Sequence, residues 1–243
     1  MRLERKQCFY EKYIKRFLDI ICSSAAIIVF GWLYVIIAVL VRIKLGKPIL
    51  FKQARPGMID PKTGQEKIFD MYKFRTMSDE RDENGDLLPD EIRLGKFGRT
   101  LRATSLDELP EAFNILIGDM SLVGPRPQLV RDMTFMNDNQ RMRHTAKPGL
   151  TGLAQVMGRN AITWEEKIDW DLKYIEKISF LKDLSILFMT VVSVFKREGI
   201  TDGENATALD YGDALLKDGK ISKEVYDELQ LKAKEILKTR NRR

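Results

Sequence analysis

The chain has 243 residues and a formal net charge of +6, from 41 Lys and Arg against 35 Asp and Glu. That balance suits nucleic acid, anionic lipid or a phosphorylated substrate and does not choose among them. One histidine, His144, and two cysteines, Cys8 and Cys22, leave no material for a disulfide framework, a His-based metal centre or a Ser-His-Asp triad.

Residues 20–41 form a charge-free apolar run of 22 residues. As a helix it would be ~33 Å long, against a hydrocarbon core of ~30 Å. No small-residue cleavage site follows it, so it does not read as a removable signal peptide. Before it lie Arg2, Arg5, Lys6, Lys12, Lys15 and Arg16, mixed with acids; after it lie Arg42, Lys44, Lys47, Lys52 and Arg55 with none. Lys and Arg beside a membrane segment stay cytoplasmic. Two basic flanks favour a helix that enters, bends near Gly31 and leaves on the same face over a plain single span.

Residues 48–51 read as a short strand or turn, and Gln53-Ala54-Arg55-Pro56-Gly57 as a loop by its Pro-Gly step. Alternation from Met71 predicts a strand over 68–77, with Lys73 and Arg75 on one face. The charged stretch 78–90, with Asn84-Gly85, reads as an exposed loop. Leu106, Leu109, Phe113, Leu116 and Ile117 recur at helical spacing, which would bury them and leave Asp107, Glu108 and Glu111 outside the buried stripe. Ser105 with Glu108 matches a capping box, Pro110 fits only near a first turn, and Gly118 ends the helix. Lys147-Pro148-Gly149-Leu150-Thr151-Gly152 is a turn-rich loop. Residues 164–178 form a polar helix. Residues 184–195, uncharged and too short to span, form a core or interfacial helix. Residues 214–237 read as two short helices broken at Gly219 with Ser222 as N-cap, a tail too small for its own core and suited to docking or oligomerisation.

Asp107 and Glu108 as first-turn carboxylates have a purely structural use. The same position suits chemistry: a deprotonated Asp is a competent nucleophile toward phosphorus, and a neighbouring carboxylate can hold Mg²⁺ against a diphosphate. In Gly124-Pro125-Arg126-Pro127 both prolines fix the backbone around one guanidinium, which suits bidentate phosphate recognition as well as a plain surface turn.

The run Asp107-Glu108-Leu109-Pro110, Asn114, and Gly118-Asp119-Met120-Ser121-Leu122-Val123-Gly124-Pro125-Arg126-Pro127 resembles the bacterial sugar transferases, the monotopic polyprenol-phosphate phosphoglycosyl transferases. Arg143-His144, the Lys147 loop, Ala154-Gln155-Val156, Gly158-Arg159-Asn160 and Tyr72-Lys73-Phe74-Arg75-Thr76-Met77 extend the likeness over roughly residues 10–200. The resemblance implies a mixed, helix-rich α/β fold: a re-entrant membrane helix over 1–45, a compact cytosolic catalytic domain over 46–200 with a small sheet and interfacial amphipathic helices, and a linker and hairpin over 201–243. It implies transfer of a sugar 1-phosphate from a UDP-sugar to undecaprenyl phosphate with release of UMP. Asp107 would be the nucleophile and Glu108 the Mg²⁺ ligand or activator, with Lys73, Arg102, Arg126, Gln155, Arg159 and Asp183 lining the nucleotide and phosphate site. The family carries Ser-Pro in the middle of its first helix; the pair here is Gly31-Trp32.

Residues 78–83 and 158–162 resemble the subgroup that transfers phospho-N,N'-diacetylbacillosamine in bacterial N-glycan assembly. The same chemistry with UDP-galactose, UDP-glucose or a UDP-N-acetylhexosamine would begin capsule or exopolysaccharide synthesis. The expected setting is the cytoplasmic face of the bacterial inner membrane, with a second copy or pathway glycosyltransferases as protein partners. A membrane-tethered scaffold, whose arginines bind anionic lipid, is the reading from another class. Nucleic acid fits poorly, because the basic residues are dispersed and no aromatic platform alternates with them.

Overall fold

A computed structural model describes residues 5–158, 162–195 and 209–240. A π-helical stretch, Tyr10–Lys15, runs into α1 (Arg16–Val29), and α2 (Gly31–Lys44) follows. The two helical arms meet at 63°. The break falls on Phe30, at φ −96° and ψ 9°, one residue before the expected glycine. Among the described residues no single helix is long and apolar enough to cross a membrane.

Strands β1 (Leu50–Ile59) and β2 (Glu66–Phe74) pair antiparallel, from Leu50 opposite Phe74 to Pro56 opposite Ile68, with a register shift before Ile59. Gln53 to Gly57, expected as a loop, therefore lies inside β1. Pro56 is tolerated because the sheet has two strands and each is an edge. Arg75 falls past the end of β2 and turns away to Lys47 O (2.9 Å) and Asp79 (2.5 Å), so it does not share a working face with Lys73. Residues 78–89 are a loop, as expected but for its last residue, with Gly85 at φ 86°.

Then come α3 (Asp90–Arg93), α4 (Lys96–Ala103), a 3₁₀ turn at Leu106–Glu108, α5 (Glu111–Ile117) and β3 (Ser121–Val123). Helices α6 (Val130–Thr134) and α7 (Asp138–Arg141) lead through a 3₁₀ turn, Met142–Thr145, to β4 (Gly149–Thr151), which pairs parallel with β3. Helices α8 (Leu153–Met157), α9 (Trp164–Glu176) and α10 (Phe180–Phe195) complete this part, and α11 (Tyr211–Lys217) and α12 (Lys223–Arg240) form the hairpin, turning at Gly219 with φ 66°. The fold is helix-rich with two small sheets.

The first helices carry two kinds of face. Inward, polar groups hold the elements that bear the acidic segment. Arg16 donates to Ile115 O (2.6 Å) and Leu116 O (2.7 Å), satisfying carbonyls at the C-terminal end of α5. Asp19 accepts from Ser121 Oγ (3.0 Å) and Leu122 N (2.9 Å), and Tyr34 donates to Leu109 O (2.6 Å). Outward, Phe17, Ile28, Trp32, Val35 and Ile43 are each more than half exposed. Leu181 and Phe188 of α10 are exposed too, and the Tyr10–Phe180 ring contact joins that helix to the first one.

Candidate active site

Ser105 stands in the left-handed region at φ 53° and makes no capping bond. The expected capping box is thus absent: Asp107 and Glu108 occupy a separate 3₁₀ turn, and α5 starts afresh behind Pro110. The expected stripe holds at its start, where Leu106 and Leu109 pack against the core, and fails further on. Asp107 and Glu111 are buried at 8% and 2% exposure, while Phe113 and Ile117 stand out at 42% and 62%. Two anchors impose this. Asn114, fully buried, donates to Asp70 O (2.7 Å) and accepts from Tyr72 N (3.0 Å), tying α5 to β2. Arg16 holds the other end of the helix.

Burial raises the Asp107 carboxyl to about 6; Lys73 draws it back, Glu108 pushes it up and Arg102 opposes. Among the described residues no side chain donates a hydrogen bond to Asp107, and its own backbone N–H is the donor that acts on it. Glu108 is the opposite case. Burial disfavours its charge, but Arg126 and Lys73 outweigh that and hold it well below the usual range. Lys73 Nζ lies 2.6 Å and Arg126 Nη2 2.8 Å from the same oxygen, Glu108 Oε1. Glu111 is pushed up by burial and then by Glu108. Its Oε1 is 3.2 Å from Lys73 Nζ but off the line of a hydrogen bond.

The Arg126 loop is held through its backbone. Gly149 N donates to Pro125 O (3.0 Å), Arg143 Nη2 to Arg126 O (2.7 Å) and Arg55 Nη1 to Pro127 O (3.1 Å). The close parallel pairing of β3 with β4 and the loop before it leaves no space for a side chain: a Cβ on Gly124 would come 2.3 Å from Lys147 O. Arg143 is itself fixed by Asp171 (2.6 Å). Arg126 keeps its side chain 41% exposed at the end of this scaffold.

The structure therefore gathers Lys73, Glu108 and Arg126 by direct contact, with Asp107 in the same charge cluster. Arg102 contributes charge to Asp107 and bonds Thr76 Oγ1 (3.1 Å). Gln155 Nε2 reaches Leu150 O (3.3 Å) beside the β3–β4 crossing, and its buried Oε1 has no donor. Asp183 accepts from Tyr174 (2.7 Å), Tyr10 (2.8 Å) and Lys15, so its partners are the N-terminal helix and α9. Arg159 lies outside the described residues. Sequence reasoning missed Glu111 and Arg55. Glu111 was set on the wrong face, and Arg55 was assigned to a loop; the strand places it near Arg126 and Asp132.

No cluster of three or more His, Cys, Asp or Glu side chains poised for a metal occurs among the described residues. Mg²⁺ typically needs one or two carboxylates when substrate phosphates and water supply the rest. Asp107 and the second oxygen of Glu108, neither engaged by a neighbouring side chain, fit that donor set.

Residues 10–197 match the family described as bacterial sugar transferase, and the chain belongs to that family. It is thereby an enzyme, a sugar-phosphate transferase. It is similar to an uncharacterized sugar transferase, EpsL, of Bacillus subtilis, at 48% identity over 80% of this chain and 94% of the relative. It is 39% identical to a UDP-glucose:undecaprenyl-phosphate glucose-1-phosphate transferase of Klebsiella pneumoniae, over 74% of this chain and 40% of that protein. A galactosyl transferase, CpsE, of Streptococcus agalactiae is 37% identical over 76% and 43%. The chain thus spans nearly all of the first relative and less than half of the other two.

Proposed function

We propose that the protein transfers a sugar 1-phosphate from a UDP-sugar to undecaprenyl phosphate in two displacements at phosphorus. The observation that carries this is a buried carboxylate, Asp107, to which no side chain donates among the described residues, beside the Lys73–Glu108–Arg126 cluster. In the first displacement an Asp107 oxygen bonds to the β-phosphorus and the bond to the bridging oxygen breaks. UMP leaves with that electron pair. In the second, an oxygen of the lipid phosphate attacks the same phosphorus, and the bond to Asp107 breaks, restoring the carboxylate. Arg126 and Lys73 neutralise charge on the non-bridging oxygens in both steps. Glu108 holds these cations in place before the donor arrives. Mg²⁺, bound by Glu108 and Asp107, would add positive charge against the diphosphate.

The bent first helix supports a re-entrant placement on one leaflet, the cytoplasmic one by its basic flanks. The exposed apolar residues of α1, α2, α5 and α10 would rest in the interface, holding the nucleophile near the height of a lipid phosphate.

Asp107→Asn will abolish transfer without loss of fold. Supplying donor without lipid will leave a phosphosugar adduct on Asp107, read by intact-protein mass spectrometry; unchanged mass with UMP released on lipid addition would favour direct transfer. For the sugar, the proposal is UDP-N,N'-diacetylbacillosamine, on the likeness of residues 78–83 and 158–162. UDP-glucose and UDP-galactose are the rivals suggested by the relatives' names. A donor panel scored by UMP release decides.

A further inference from the structure

The C-terminal hairpin lies beyond the family match, which ends at residue 197, yet it is docked on the elements that hold Arg126. Asp132, 2% exposed, joins the two directly. Its Oδ2 accepts from Leu129 N (3.0 Å), two residues past the Pro-Arg-Pro turn, and its Oδ1 accepts from Tyr211 N (3.0 Å), the first residue of α11. Arg131 pairs with Asp210. Burial lowers Arg55, which props the same loop at Pro127, and Asp132 and Asp210 are among the acids offsetting its charge.

The docking is broad. Tyr211 is buried with Met136 and Ile168, stacks on Trp164 with centroids 5.3 Å apart, and accepts at its hydroxyl from Gln140 (2.9 Å). Gly212 sits flat on Phe135, where a Cβ would come within 2.4 Å of the ring. Arg240, at the far end of α12, reaches Asp70 of β2 (2.6 Å). The hairpin thus grips α6, α9 and β2. The latter two carry Asp171, which fixes Arg143 under Arg126, and Lys73.

We infer that the hairpin is a clamp that sets the position of the Arg126 guanidinium for the donor diphosphate, with Asp132 as the positioning residue that transmits it. The role rests on the phosphoryl-transfer reading above. The clamp acts on binding of the donor and leaves the reacting carboxylate alone. Its loss therefore raises the donor KM and, because Arg126 also serves both displacements, lowers kcat with it.

Gly212→Val drives a side chain into Phe135 and releases the hairpin without touching the loop. Asp132→Asn keeps the size of the bridge and removes one acceptor. Each is read by hydrogen exchange over residues 125–133 and by separate kcat and KM for the UDP-sugar found in the panel. The expected result is faster exchange over 125–133, a raised donor KM and a kcat/KM for the donor lowered about tenfold, the equilibrium factor for one strong hydrogen bond. Faster exchange over 211–240, with 125–133 and the donor KM as in the wild type, overturns the clamp. If Gly212→Val loses protection everywhere, the same readouts on Asp132→Asn decide. Wild-type protein that releases no UMP from any donor would sink the phosphoryl-transfer reading, and the exchange comparison would still test the mechanical link.

Discussion

Asp107 carries a cost that its proposed chemistry would explain. Its carboxyl is raised from 3.8 to about 6, chiefly by burial. The folded state therefore holds its proton more tightly than the unfolded state. The fold is relieved of the penalty below the unfolded value and bears it in full above about pH 6. A shift of about 2 units corresponds to an upper limit of roughly 3 kcal/mol at neutral pH. Asp107→Asn removes that charge, so the inactive variant will melt higher than the wild type, by about 2–4 °C per kcal/mol recovered. A melting curve at pH 7.5 and another at pH 5 check it: the gain will shrink at the lower pH. The same titration sets an acid limb on catalysis. The first half-reaction, followed as a UMP burst without lipid, will fall on the acid side, and the fall will move to lower pH as Mg²⁺ is raised, because a bound cation favours the charged carboxylate. Leaving out the lipid removes its own titrating phosphate from the profile. None of this was visible in the Asp-Glu pair as a string of letters. The identity of the acids and their place beside Arg126 were legible; the depth of burial that separates Asp107, the proposed nucleophile, from its clamped neighbour Glu108 was not.

At the scale of the element, α5 shows where periodicity misleads. Its apolar residues do recur at helical spacing, and the helix does end at Gly118 in the left-handed conformation. Spacing cannot say which face meets protein and which meets another medium. Asn114 and Arg16 decide it, by bonding backbone groups that lie far away in the chain, and Phe113 and Ile117 are turned outward. Phe113 packs on Tyr34 with ring centroids 5.7 Å apart, so this face continues that of α2. Replacing Phe113 and Ile117 together by Glu will leave the fold intact and move protein from the membrane pellet to the supernatant of vesicle sedimentation; unchanged partition would detach α5 from the proposed interface. Strand β1 fails for a related reason. Pro-Gly is a turn signal, and only a two-stranded sheet lets it stand inside a strand. The short parallel pair β3–β4 leaves almost no local pattern, since three residues on each side are too few to alternate.

Across the whole molecule, the family likeness, the bend in the first helix and the order of motifs could all be read in the sequence, because each depends on residues close together in the chain. What escaped is long-range: the Arg143–Asp171 pair beneath the Arg126 loop and the docking of the hairpin. The Arg16 bonds to the last carbonyls of α5 have one more consequence. Together with the Tyr34 bond to Leu109 O they brace α5 and the turn that carries Asp107 against both arms of the bent helix. On the proposed re-entrant placement the aspartate would follow where the helix settles, and bilayer thickness would bear on the second displacement. Vesicles of graded acyl-chain length will change the rate of the lipid-dependent half-reaction while the UMP burst stays constant. A chain-length-independent second step would mean that the brace yields.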